Sequence, residues 1–139
     1  MDTVDPVREL APAECWDLVA AAPYGRLAMS VFDDVDIVPV NAVLSAGDLY
    51  FRTAPGSKLA ELSANPRVAY EVDGYDAETA FSVVVKGTAE RLERQAEIDA
   101  ADQLPLTPWI PTLKYRWVRI RPDSVSGRAF RRGPEPERY

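Results

Sequence analysis

Apolar and polar residues alternate with a period of two along most of this chain, and only short segments depart from that rhythm. In GRLAMSVF, residues 25–32, Leu27, Met29 and Val31 alternate with Ala28, Ser30 and Phe32, as in a half-buried strand. DIVPVNAVL, residues 36–44, is a second, β-branched run. Pro39 inside it has no N–H for a ladder, so this strand is expected at an edge, at a bulge, or opened for something to approach. SAGD, residues 45–48, is a hairpin signal and LYFRT, residues 49–53, the returning strand, so 36–53 reads as one hairpin. RVAYEV, residues 67–72, turns Val68, Tyr70 and Val72 to one face. FSVVVKGTAERL, residues 81–92, is a long strand that Gly87 is expected to bend. KYRWVRIRP, residues 114–122, and SVSGRAF, residues 124–130, are the last strands.

Helical spacing interrupts this pattern three times. Pro12 suits the first turn of a helix that runs to about Ala22, with Trp16, Val19 and Ala20 on one stripe and Glu14 and Asp17 facing water. GSKLAELSAN, residues 56–65, places Leu59 and Leu62 at helical spacing and stops before Pro66. RQAEIDAADQL, residues 94–104, has the pattern of a short amphipathic helix. DGYDAETA reads as a loop, and PLTPWIPT as a proline-studded connection around Trp109. Six or seven strands joined by hairpins, with only small helices, predict a mainly β fold: a closed or half-closed antiparallel barrel. Residues 1–10 are expected to be a flexible lead-in, 11–130 a single domain, and 131–139 a flexible tail.

Composition narrows the function more than the fold. A chain of 139 residues supports one core. No apolar run reaches the roughly 20 residues of a membrane helix, and the acidic start MDTVDPVREL lacks the features of a signal peptide, so the expected compartment is the cytoplasm. The single cysteine, Cys15, cannot form an intrachain disulfide. A net charge of −6 argues against nucleic acid and anionic membranes as partners. Cations nevertheless crowd the last quarter, from Lys114 to Arg132, as a local anion site or as solvated strand faces. There is no histidine, which removes the usual Ser-His and Cys-His nucleophiles and His-ligated metal centres. An enzyme of this composition works through carboxylates and hydroxyls or through a bound cofactor.

The segment FRTAPGSK offers the parts of a monophosphate site. Arg52 and Thr53 leave a strand, Gly56 permits close backbone approach, and Ser57 and Lys58 open a helix whose N-terminus carries about half a positive charge. The spacing is not that of a Walker A loop, and it fits equally an N-capping serine between two surface cations. Across the expected hairpin from Tyr50–Thr53 stands PVN, where Asn41 has a donor and an acceptor for the edge of a flat heterocycle; an edge proline that blocks aggregation has the same sequence. FSVVVKG is a core strand or a pocket wall with Phe81 and Ser82 at its mouth. The acidic pairs Glu14 and Asp17, or Glu71 and Asp73, carry no spacing that marks a general acid and base.

The order ECWDLVAAAPYGRLAMSV, PVNAVL, LYFRTAPGSKLAEL, VAYEVDGYD, FSVVVKGTAE, WVRIRPDSVSGR resembles the pyridoxamine 5'-phosphate oxidase-like flavoprotein family, over roughly residues 9–130. The resemblance implies a split β-barrel that dimerises, with flavin mononucleotide (FMN) held at the interface between two subunits. It implies that Arg52, Thr53, Ser57 and Lys58 contact phosphate and ribityl groups, that Pro39, Val40 and Asn41 lie beside the isoalloxazine ring, and that Ser82 and Val83 form the opposite wall. A flavin-dependent oxidoreductase acting on a small molecule is the activity implied, with Lys86 or Arg119 as candidate cations near the ring. Storage or sensing of a flavin, a deazaflavin coenzyme or haem on the same fold is the alternative. Two departures stand out: Phe81 replaces a common tryptophan, and the chain lacks the Arg-Leu-His type ending, which argues against pyridoxamine phosphate as the substrate.

Overall fold

The computed structural model describes residues 6–107, 109 and 116–138. Eight strands and three helices follow in the order β1 (Val7–Glu9), α1 (Pro12–Ala21), β2 (Gly25–Val31), β3 (Asp34–Val40), β4 (Val43–Ser45), β5 (Asp48–Thr53), α2 (Ser57–Ala64), β6 (Arg67–Tyr75), β7 (Thr79–Arg91), α3 (Gln95–Asp102) and β8 (Arg116–Arg131). All described pairings are antiparallel, in the sheet order β3-β2-β6-β7-β8-β5-β4, with β1 on the far half of β8. The two ends of that order, β3 and β4, are consecutive in the chain and separated only by Asn41 and Ala42. The three Cα–Cα steps from Val40 to Val43 span at most about 11 Å, so the sheet must curl until its ends nearly meet. The result is a split barrel whose seam is at residues 40–43.

Alternation fills the barrel. Leu27 and Met29, Val68, Tyr70 and Val72, Val83 and Val85, Val118 and Ile120, and Leu49 and Phe51 all point inward and are buried. Each such side chain contributes about 1.5–3 kcal/mol of transfer free energy. Helix α1 covers this core through Cys15 and Val19, one turn apart, while Trp16 is only partly buried and Ala20 faces solvent. The stripe expected from Trp16, Val19 and Ala20 is thus rotated, because cysteine packs as a small apolar residue. Glu14 accepts from the Ala11 backbone N–H at 3.2 Å and from Arg8, joining the helix start to β1.

Four other expectations change. Part of the lead-in is ordered, since Val7–Glu9 pairs with Arg128–Phe130. The 36–53 hairpin is really two pairings: β3 runs along β2, and only Val43–Ser45 pairs with β5. DGYDAETA is mostly strand, closed by a tight turn in which Asp76 Oδ1 accepts from the backbone N–H groups of Glu78 and Thr79 at 2.8 and 2.7 Å. The last two strands are one, β8, with an irregularity opposite Lys86 and Gly87. Gly87 faces Pro122 there, and a Cβ on Gly87 would stand 2.3 Å from the Arg121 carbonyl oxygen. The expected bend at Gly87 is therefore also what lets a proline sit in a central strand. The tail is tied at its start by Arg132, whose backbone N–H donates to the Glu78 carbonyl at 2.7 Å. Lys114, half of the proline-studded connection and residues 1–5 lie outside the described residues.

Candidate functional site at the barrel seam

Strand β5 delivers Arg52 and Thr53 to the seam. Arg52 is cross-strand from Trp117, and its guanidinium carbon lies 5.4 Å from the centre of that buried ring. The Arg52 Nε is buried and makes no hydrogen bond among the described residues. A buried donor in that state costs about 1–3 kcal/mol, and an external acceptor would relieve it. Thr53 is buried, and its hydroxyl donates to the Ala54 carbonyl at 3.2 Å.

Gly56 follows, with φ 159° and ψ −160°, and a Cβ built on it meets no atom within 4 Å. Gly56 is exposed, so that space is solvent at the start of α2, and its positive φ is a backbone conformation that favours glycine. Gly56 is also the N-cap, so the expected capping role of serine falls to a residue with no side chain. Four N–H groups at such a terminus need acceptors. Ser57 opens the helix, but its side chain lies outside what the structure describes; Lys58 is in the first turn and half-buried.

The PVN segment reaches the same place by another route. Pro39 pairs with Arg26 of β2, not with β5, which corrects the expected hairpin partner. Pro39 suits its edge strand because an edge leaves N–H positions unused. Beyond it the chain crosses the seam. The β4–β5 register begins at Val43 and Tyr50, so Asn41 lies two residues before β4 joins the strand that carries Arg52. Val40 is buried. Asn41 is held from both sides: its Nδ2 donates to the Pro23 carbonyl at 3.1 Å, and its Oδ1 accepts from the Trp109 backbone N–H at 3.0 Å. Trp109 is in turn 4.6 Å, centre to centre, from the ring of Tyr24.

Ser82 and Val83 do not join this group within one chain. Val83 is fully buried in the core, so only its backbone is available to a ligand. Ser82 faces outward into a groove of about 560 Å³ that also involves Ser126 and Arg128. It pairs with Arg128, eleven residues along β8 from Trp117, the partner of Arg52. Across the sheet the route is shorter: Ser82 pairs with Asp73, which lines one cavity with Pro23, the residue whose carbonyl accepts from Asn41.

The two candidate cations near the ring also separate. Arg119 is bound by Glu90 at 2.5 Å and Glu97 at 2.8 Å, and these carboxylates hold its charge firmly against the cost of burial. It clips α3 to the barrel. Lys86 lies on the outer sheet face with Ala28 and Val35. Two features had no signal in the sequence. One is the Trp117 ring beneath Arg52; the other is Arg26, which donates to both Glu71 and Asp73, at 3.1 and 2.9 Å. Both depend on cross-strand register, which spacing along one strand does not carry. Among the described residues, no group of three or more acidic or cysteine side chains could hold a metal ion.

The fold and its seam have counterparts. A family model described as pyridoxamine 5'-phosphate oxidase matches residues 11–129. The chain belongs to the pyridoxamine 5'-phosphate oxidase family. Within the family's range of structures, a Corynebacterium glutamicum protein carrying a provisional pyridoxamine 5'-phosphate oxidase name is 41% identical, with a TM-score of 0.88 over 96% of this chain and 100% of that one. An FAD binding protein from Mycobacterium smegmatis is 36% identical, with a TM-score of 0.76 over 88% of this chain and 98% of that one. An FAD-binding protein from Mesorhizobium loti is 29% identical, with a TM-score of 0.78 over 88% and 97%. Membership in the pyridoxamine 5'-phosphate oxidase family and the split barrel agree with the resemblance read from the motifs.

Proposed function

We propose that this chain is a flavin-binding protein that works as a homodimer and serves as a flavin-dependent oxidoreductase for a small molecule other than pyridoxamine phosphate. The observation that carries the reading is the seam: a buried Arg52 Nε with no acceptor among the described residues, an exposed Gly56 that leaves the α2 start open to solvent, and a fixed Asn41. These are donors arranged for a phosphate and a heterocycle edge. Arg52, Lys58 and the α2 backbone would hold the phosphate, Thr53 and Ser57 the adjoining ribityl chain, and Pro39–Asn41 the ring. The flavin would supply hydride or electron transfer; the protein would orient it and exclude water.

A second copy is part of this reading because Ser82 opens outward into a groove whose lining does not include Arg52. Phe32, Val35 and Ile37, at 96, 72 and 64% exposure on the β2–β3 hairpin, provide apolar surface suited to self-association. Two similar proteins are named for FAD; FMN is favoured here because the α2 start suits a terminal phosphate. Titration with FMN, FAD and a deazaflavin coenzyme decides between them, and reduction by a nicotinamide cofactor separates catalysis from storage. Mixing tests the shared site. Chains bearing Arg52→Leu and chains bearing Ser82→Trp should each bind flavin poorly alone, and their heterodimers should regain one site of two. No recovery on mixing would refute the shared site.

A further inference from the structure

Beside the seam, at the open end of the barrel, lies a second cavity of about 310 Å³ between the end of α1 and the adjoining ends of β2, β6 and β7. Its walls are mostly apolar: Leu18, Ala22, Tyr24, Val72 and Phe81. Phe81 is held there by Gly74, where a Cβ would come within 2.7 Å of the phenyl ring. The volume is at the lower end of the range for small-molecule sites, which suits one or two rings. The polar rim is Arg26 with Asp73. Because Arg26 also binds Glu71, one guanidinium serves two carboxylates and the rim carries surplus negative charge. The cavity touches the seam through Pro23, whose carbonyl accepts from Asn41, and through Tyr24, whose ring meets that of Trp109 at a tilt of 55°.

We propose that this cavity binds a small aromatic or heteroaromatic amine, with the ring among Leu18, Tyr24 and Phe81 and the amino group at Asp73, and that it excludes carboxylates and phosphates. As the place of a substrate, the cavity rests on the flavin reading; as a binding site it stands by its own lining. Burial and the neighbouring Asp73 raise the Glu71 carboxyl, with Arg26 partly offsetting them, as crowded carboxylates on one cation require. A cationic ligand would relieve that crowding, and an anionic one would add to it. The preference differs from that expected of a phosphorylated substrate.

The test uses the protein as isolated, with benzylamine, benzyl alcohol and benzoate as probes, followed by amide chemical shifts. Benzylamine should perturb Tyr24, Arg26, Asp73 and Phe81 and bind about fivefold or more tightly than benzoate, the scale of one half-exposed ion pair. Asp73→Asn should bring benzylamine down to the level of benzyl alcohol, and Ala22→Phe should abolish binding of both. Equal binding of benzoate, or shifts confined to other residues, would overturn the proposal even if a variant misfolds, since the wild-type data suffice. Visible flavin absorbance, recorded on the same samples, reports the seam separately. Ring binding without flavin refutes only the flavin reading, and flavin without ring binding refutes only this one.

Discussion

Replacing Arg52 by leucine should move stability and cofactor affinity in opposite directions. In the free protein the Arg52 Nε is buried with no acceptor among the described residues, a state that costs about 1–3 kcal/mol. The guanidinium recovers part of this from the Trp117 ring 5.4 Å away, a contact worth about 0.5–1 kcal/mol at a partly exposed site. Leucine removes both terms, so the cofactor-free protein should be unchanged or up to about 2 kcal/mol more stable. Flavin binding loses a charge-assisted hydrogen bond of about 1.5–3 kcal/mol, a roughly 10- to 150-fold weaker dissociation constant. Urea denaturation without flavin and a spectroscopic titration with it measure the two effects. Lower stability with unchanged affinity would refute the reasoning, because Arg52 would then be a structural residue.

Other predictions follow from single contacts. Gly87→Val should destabilise by about 1–3 kcal/mol, because its Cβ meets backbone atoms of Arg121 that cannot swing aside; denaturant unfolding reads this directly. Asp102→Ala leaves the buried Trp117 indole N–H, now donating at 2.7 Å, without its acceptor and should cost about 1–3 kcal/mol, accompanied by a change in tryptophan fluorescence. The backbone N–H groups of Thr79 and Glu78, then the Thr79 hydroxyl, hold the Asp76 carboxyl below its ordinary 3.8. Its contribution is present in full above that value and is lost as pH falls through the lower folded-state value. Denaturation at pH 7 and pH 3 should therefore show a smaller acid loss for Asp76→Asn than for the wild type.

The sequence carried the elements better than their partners. Alternation located the strands because one face of each meets a single core, as Leu27, Val72 and Val85 do. It could not show that residues 36–44 change partner at the seam, from β2 before Asn41 to β5 after it, since a β-branched run reads alike on both sides. Two strands were expected at 114–122 and 124–130, yet the irregularity at Gly87 accommodates Pro122 within the single strand β8. At the candidate site, the FRT and PVN motifs were legible because each is contiguous in sequence. Trp117 under Arg52, the two carboxylates on Arg26, and the outward groove that Ser82 shares with Arg128 were not, because all three are properties of register across strands.

The most direct test of the central claim is a flavin titration on the purified chain, with molar mass measured by light scattering on the same sample. The account predicts a yellow dimer that saturates at one flavin per chain and binds it roughly 10- to 150-fold more weakly when Arg52 is replaced. A colourless protein that ignores added flavin, or a monomer that binds it fully, would contradict it.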